Sequence, residues 1–279
     1  MIRFSTTGLK AVSALALAAA VMISAPASEA FAASTKAAEK KAADWWYSDS
    51  DGYVAIRKIK YKGTACWCAH LKFRNYSRFR MIWSKGKRGR KETTYAAAKR
   101  TKAVFAVNGD YCAPSICRTA LRGGKVYGGK GRLYASAVYS RWDGILGSPQ
   151  SKGAYGMNLK TVVEKRLASD TFQFAPAFDL KHPPKKGGSR AQRTFIGTNG
   201  KPGDVWVFVT NGRKNDGKSK GLTASECVEL LIKHGCTFGV ALDGGGSSSM
   251  VFKGRILNHA GNRGEGKRGR AVVDHLIYK

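Results

Sequence analysis

Alternation of apolar and polar positions sets the first elements. GYVAIRKIKY (52–61) and TACWCAHLKF (64–73) both repeat with period two, which predicts a pair of strands. ETTYAAAKR (92–100) reads as a helix and is followed by the apolar strand AVFAVN (103–108). Further strands are predicted at RLYASAVYS, TFQFAPAF and RTFIGT, and at DVWVFVT after the turn NGKPG. TASECVELLIKHG opens on an N-cap Thr223 with Glu226 three residues later, places Val228, Leu231 and Ile232 on one face, and stops at Gly235. The strand FGVAL follows, then a hairpin, MVFKGRILN, turning at Lys253 and Gly254. Strands outnumber helices. The predicted class is α+β: a single domain with a mixed, mostly antiparallel sheet flanked by a few helices.

The two ends of this pattern differ. Arg3 and Lys10 precede an uncharged run from Ala11 to Ile23, with small residues at Ser28, Ala30 and Ala32. That is the form of a secretory signal peptide over 1–32, and the apolar run falls short of the ~20 residues a membrane span needs. Residues 33–50 begin Ala- and Lys-rich and read as a tether, and 51–279 as the domain. The expected location is secreted, with no transmembrane segment after cleavage.

Composition sharpens the choice of partner. The chain carries 49 Lys and Arg against 18 Asp and Glu, a formal charge of +31. Such a charge holds a protein to polyanions; for an exported one these are anionic glycopolymers, phosphoglycans and the cell-envelope or wall surface. The densest stretch, Arg78–Lys102, and the loop GNRGEGKRGR (261–270) both read as solvated basic segments. The bases are spread along the chain without a nucleic-acid-binding motif, so no specific nucleic acid is expected.

Six cysteines, at 66, 68, 112, 117, 227 and 236, suggest disulfides in an exported chain. Local pairs 112–117 and 227–236 would close short loops, but six cysteines allow 15 connectivities and crossed pairing stays open. Zinc is the rival reading, although the spacings match no finger or ribbon. The five His show no metal-ligand spacing, so no cofactor is required; a divalent cation near Asp243 is compatible with the sequence.

Candidate chemistry concentrates in VALDGGGSSSMVF (240–252). Three glycines between apolar segments weaken packing unless the backbone itself is needed there. Asp243 ends a buried strand. Gly244, Gly245 and Gly246 bring backbone N–H groups toward an anion, and Ser247 and Ser248 add hydroxyls.

With its surroundings, GLTASECVELLIKHGCTFGVALDGGGSSSMVFKGRILN resembles the signature of the phosphodiester glycosidases. AVFAVNGDYC, RTFIG, VTNGR and the tail RAVVDHLIY match further segments of that family in order, over most of 103–278. The resemblance implies hydrolysis of a sugar-1-phosphodiester. It carries over to Asn108, Gly109, Arg193, Gly212, Arg213, Thr223, Glu226 and the run from Asp243 to Ser248. The Asp-Tyr-Cys after Gly109 departs from the family pattern and bears on sugar preference.

A glycosyl phosphate needs oxocarbenium stabilisation but little acid assistance, because phosphate leaves as an anion. The expected roles follow: Asp243 as base or charge stabiliser, Asp110 as second carboxylate, Arg193 and Arg213 as forks for phosphate, and Asn108 bonding the sugar. Glu226 is expected to be a capping residue. The alternative is a non-catalytic wall- or polysaccharide-binding module of the same fold.

Overall fold

The computed structural model describes residues 35–110, 119–128, 135–147, 169–173, 177–182, 188–262, 266 and 268–279. The expected leader and the cysteines 112 and 117 lie outside these residues. The chain divides into two units, Met1–Ala43 and Asp44–Lys279. In the first, residues 35–42 are helical. The second carries everything described below, and its first strand, Trp45–Ser48, falls in the segment read from sequence as tether.

A seven-stranded sheet is built from β1 (Trp45–Ser48), β2 (Gly52–Tyr61), β3 (Thr64–Phe73), β12 (Ala177–Phe178), β13 (Thr194–Thr198), β14 (Asp204–Thr210) and β15 (Phe238–Ala241), in the order β1-β2-β3-β14-β13-β15-β12. A five-stranded sheet contains β4 (Phe79–Trp83), β6 (Phe105–Asn108), β16 (Met250–Phe252), β17 (Arg255–Ile256) and β19 (Asp274–Tyr278), in the order β17-β16-β6-β19-β4. Smaller ladders join β5 (Glu92–Thr93) to β18 (Ala271–Val272) and β7 (Thr119–Arg122) to β8 (Lys125–Gly128). Strand β9 (Ala135–Ser140) runs between β10 (Leu146–Gly147) and β11 (Ser169–Gln173). The helices are α1 (Thr94–Thr101), α2 (Arg213–Asp216) and α3 (Ala224–Lys233). The α+β class with a mostly antiparallel sheet is what the structure shows, and every pairing between the described strands is antiparallel.

Period two explains the layers. Trp67, Ala69 and Leu71 of β3, Val205, Val207 and Val209 of β14 and Ile196 of β13 share one core with Phe79, Met81, Val107, Met250 and Leu276 of the five-stranded sheet. The intervening positions face outward: Cys66, Cys68, Phe195 and Phe208 pack against Cys227, Leu230 and Leu231 of α3. On the far side, Ala106, Val251 and Ile277 pack against Ala98 of α1. The result is two sheets face to face with a helix on each outer surface.

Three expectations change. Phe79–Trp83, read as part of a solvated basic segment, is a strand whose Phe79, Met81 and Trp83 are buried at alternate positions. Ile232 is 45 % exposed, and the buried stripe of α3 runs through Cys227, Val228, Leu230 and Leu231 instead. Cys66, Cys68, Cys227 and Cys236 are free buried thiols. Cys227 is in the first turn of α3 and Cys236 lies past its last. The helical stretch from 227 to 233 alone spans roughly 9 Å, beyond the ~7 Å Cα limit of a disulfide. Burial pushes the Cys66 and Cys236 thiols up to about 12.

Candidate active site

The glycine-serine run is the crossover between the two sheets. It leaves β15 in one, makes a single 3₁₀ turn over Gly245–Ser247, and enters β16 in the other. Gly245 has φ of +59°, where a side chain would be strained. A Cβ on Gly244 would lie 2.9 Å from the Gln192 carbonyl oxygen, which accepts a hydrogen bond from the Gly245 amide at 3.0 Å. The first two glycines therefore bring the turn close to the protein's own backbone, and Gly245 and Gly246 lie at the wall of a cavity.

Asn108 seats this crossover. At the end of β6 and fully buried, its Nδ2 donates to the Asp243 carbonyl at 2.6 Å and its Oδ1 accepts from Thr194 Oγ1 at 2.8 Å and from the Ser249 amide at 3.1 Å. One side chain thus ties β6, β13 and the turn together. The sugar contact expected of Asn108 is corrected: its amide is committed to the protein.

Asp243 is partly exposed. Its acidity is weakened, chiefly by burial, and this is opposed by hydrogen bonds from the Ser247 hydroxyl and the Gly244 amide and by the charge of Arg270. Ser247 therefore serves the carboxylate. Ser248 is buried, and its hydroxyl has no hydrogen-bond partner among the described residues.

Behind Asp243 lies a cluster that the sequence only half revealed. The Asp243 amide donates to the Gly109 carbonyl at 3.0 Å, and the next residue, Asp110, faces Arg122 and Asp274. Arg122 Nη2 is 2.7 Å from Asp274 Oδ2 and 3.4 Å from Asp110 Oδ2, and all three side chains are buried. Burial, and then the Asp110 charge beside it, hold Asp274 well above the usual carboxylate range. The arrangement is two buried carboxyls beside one guanidinium. A Cβ on Gly109 would come within 2.1 Å of Asp274 Oδ1, so only glycine permits the contact. Asp110 is corrected from a substrate-facing carboxylate to a sealed one, which acts on Asp243 through its charge. Asp274 and Arg122 were missed. The pairing of β6 with β19, His275 opposite Asn108, brings Asp274 to Gly109.

The open part of the site is a cavity of about 720 Å³ walled by Gln192, Gly245, Gly246, Asn262 and five cations: Arg190, Arg213, Lys214, Lys220 and Arg270. Arg190 pairs with Glu226, whose other oxygen accepts from the Thr223 amide at 2.9 Å in the expected capping box. Arg213, Lys214 and Lys220 make no ion pair with any described residue. Arg193 donates from Nε to the Leu222 carbonyl and from Nη2 to the Ser189 carbonyl, which places it beside Ser189 in the cavity wall. Arg270, from a loop read as merely solvated, is in the wall. Among the described residues no group of three or more His, Cys, Asp or Glu is placed to hold a metal ion.

Residues 101–279 match the phosphodiester glycosidase family. The chain belongs to that family. Among curated proteins it resembles the SPbeta prophage-derived uncharacterized protein YomE of Bacillus subtilis (strain 168), 26% identical over 204 residues, which is 67% of this chain and 29% of that protein. The chain therefore spans less than a third of that relative. Among solved structures, the zebrafish N-acetylglucosamine-1-phosphodiester alpha-N-acetylglucosaminidase catalytic domain, auto-inhibited by its pro-peptide, superposes with a TM-score of 0.59 at 15% identity, covering 83% of this chain and 85% of that one. A Burkholderia pseudomallei K96243 protein named "Putative exported protein" superposes with a TM-score of 0.52 at 14% identity, covering 77% and 74%. These identities carry the shared fold and no more.

Proposed function

We propose that this phosphodiester glycosidase family member is an exported hydrolase that cleaves a sugar-1-phosphodiester in an anionic glycan of the cell envelope. The observation that carries the reading is a weakened, partly exposed carboxylate, Asp243, two residues before Gly245 of the cavity wall and within reach of the charge of Arg270, beside a cavity whose charged wall residues are all cationic. Arg213, Lys214 and Lys220 bind the phosphate, which leaves as a phosphomonoester anion and so needs no strong acid. Water attacks the anomeric carbon, the bond from that carbon to the phosphate oxygen breaks, and Asp243 takes the proton from water. Asp110 and Asp274 position Asp243 electrostatically, with Arg122 preventing a build-up of negative charge. Ser247 and Asn108 orient the Asp243 side chain and main chain. The leader-like start of the sequence and the basic charge support export and retention at an anionic wall. No described helix is long and apolar enough to cross a membrane.

The deciding experiment measures reducing sugar released from a panel of sugar-1-phosphodiesters. Release by the wild type that falls about 10²–10⁴-fold in Asp243→Asn supports the reading. A folded wild type that binds envelope polymer yet releases nothing overturns it and leaves a binding module.

A further inference from the structure

The proposed reaction uses one cavity, but a second, of about 630 Å³, lies across the same loop, with Lys58, Lys60, Trp67, Lys218 and His259 in its wall. The segment from Asn211 to Lys220 is a wall common to both: Arg213, Lys214 and Lys220 line the first cavity, Asn211, Asp216, Lys218 and Ser219 the second. This partition is firmly built. Asp216 accepts from Asn211 Nδ2 at 2.8 Å, from the Ser219 hydroxyl at 2.6 Å, and from the amides of Lys218 and Ser219. Asn215 Nδ2 donates to the His259 carbonyl at 2.7 Å, and the Lys220 amide donates to the Gly63 carbonyl at 3.2 Å.

The carboxylate of Asp216 is thus committed within its own loop, while Lys58, Lys60 and Lys218 make no ion pair with any described residue. Lys58 and Lys60 are both exposed on β2 and point to one side of it, roughly 7 Å apart by strand geometry. The Lys58 ammonium lies 5.2 Å over the Trp67 ring, while its backbone amide donates to Asp44 Oδ2 at 2.6 Å. A single phosphodiester bound in the first cavity would leave this second set of cations without a counter-charge.

We infer that the second cavity is a subsite for a further anionic unit of the same substrate, so that the enzyme acts on a chain whose sugars are joined by phosphodiesters. The inference rests on the phosphodiester glycosidase reading given above. The first cavity takes the scissile phosphate and the second takes the next charged group along the chain. Two basic cavities divided by a braced loop also focus the field along the path the polymer follows.

The test is the triple variant Lys58→Gln, Lys60→Gln, Lys218→Gln. All three side chains are exposed, so the fold does not depend on them. Two probes are compared: a methyl-capped N-acetylglucosamine 1-phosphodiester carrying one phosphate, and a poly(N-acetylglucosamine 1-phosphate) of several repeats. The expected result is a fall of about tenfold or more in kcat/KM on the polymer, mainly through KM, against a change within about twofold on the single-phosphate probe. Equal falls on both probes, or no fall on either, overturn the subsite.

Calorimetric binding of the polymer to Asp243→Asn protein, with and without the triple change, separates this inference from the reaction itself. Weaker binding in the triple variant supports the subsite even where the wild type releases no sugar and the reaction reading fails. Unchanged binding overturns it whatever the turnover. An oligodeoxythymidine of matching charge that binds more tightly than the glycan through the same lysines reassigns the cavity to nucleic acid and overturns the glycan assignment.

Discussion

Asp243 and Asn108 show how differently two polar residues in one turn are used. The folded-state acidity of Asp243 is weaker than its unfolded value, so the carboxylate is a burden on stability once pH exceeds the folded value, and that burden vanishes as pH falls toward 3.8. Asp243→Asn is expected to raise the melting temperature at neutral pH, with the gain disappearing in acid. Calorimetric melts from pH 3.5 upward check the sign. Asn108→Ala is expected to cost about 2–4 kcal/mol in urea unfolding, because it leaves the Ser249 amide and the Asp243 carbonyl without partners. The sequence made both residues conspicuous, but not their division of labour. A motif reports that a residue is needed near a turn; whether its side chain faces a ligand or the backbone depends on strands far away in sequence. The bracing of Arg193 was hidden for the same reason, since its partner carbonyl at Leu222 belongs to a segment brought to it only by the fold.

Among the elements, those with strong period or strong caps were legible. β2 and β3 occupy the residues their alternation predicts, and α3 starts at the capping box. β4 was hidden because Arg78, Arg80 and the lysines beyond drew attention to charge, although F-x-M-x-W alternates across 79–83. β19 shows neither signal. Its five residues are all buried, as expected of a strand covered on both faces, and its polar members Asp274 and His275 find partners inside. His275 Nε2 lies 2.9 Å from Ser84 Oγ, and burial lowers its pKa from 6.5 to about 3. A histidine depressed in the folded state contributes stability that is full above the unfolded value and is lost as pH falls toward the folded one. The unfolding free energy is therefore expected to drop between pH 6.5 and 3 by up to about 1.4 kcal/mol per pH unit from this group. In His275→Gln the slope is expected to flatten over that window, as read from urea titrations at successive pH values.

For the whole molecule, the sandwich with helices outside explains the thiols better than export alone did. Cys66, Cys68, Cys227 and Cys236 fill the layer between the seven-stranded sheet and α3 as small apolar groups. Without reductant, N-ethylmaleimide at pH 8 is expected to leave all four unmodified in the folded protein and to label all four in guanidinium, as read by peptide mass spectrometry. Labelling only after reduction would show them to be half-cystines. The five-stranded sheet has its own consequence. β19 is the last of the nineteen strands among the described residues, yet it lies between β6 and β4 and brings Asp274 to Gly109. A chain still emerging from the ribosome, or halted before residue 274, thus has a gap in the middle of that sheet and no carboxyl pair behind Asp243. The order of synthesis leaves the surroundings of Asp243 unassembled until β19 is laid in.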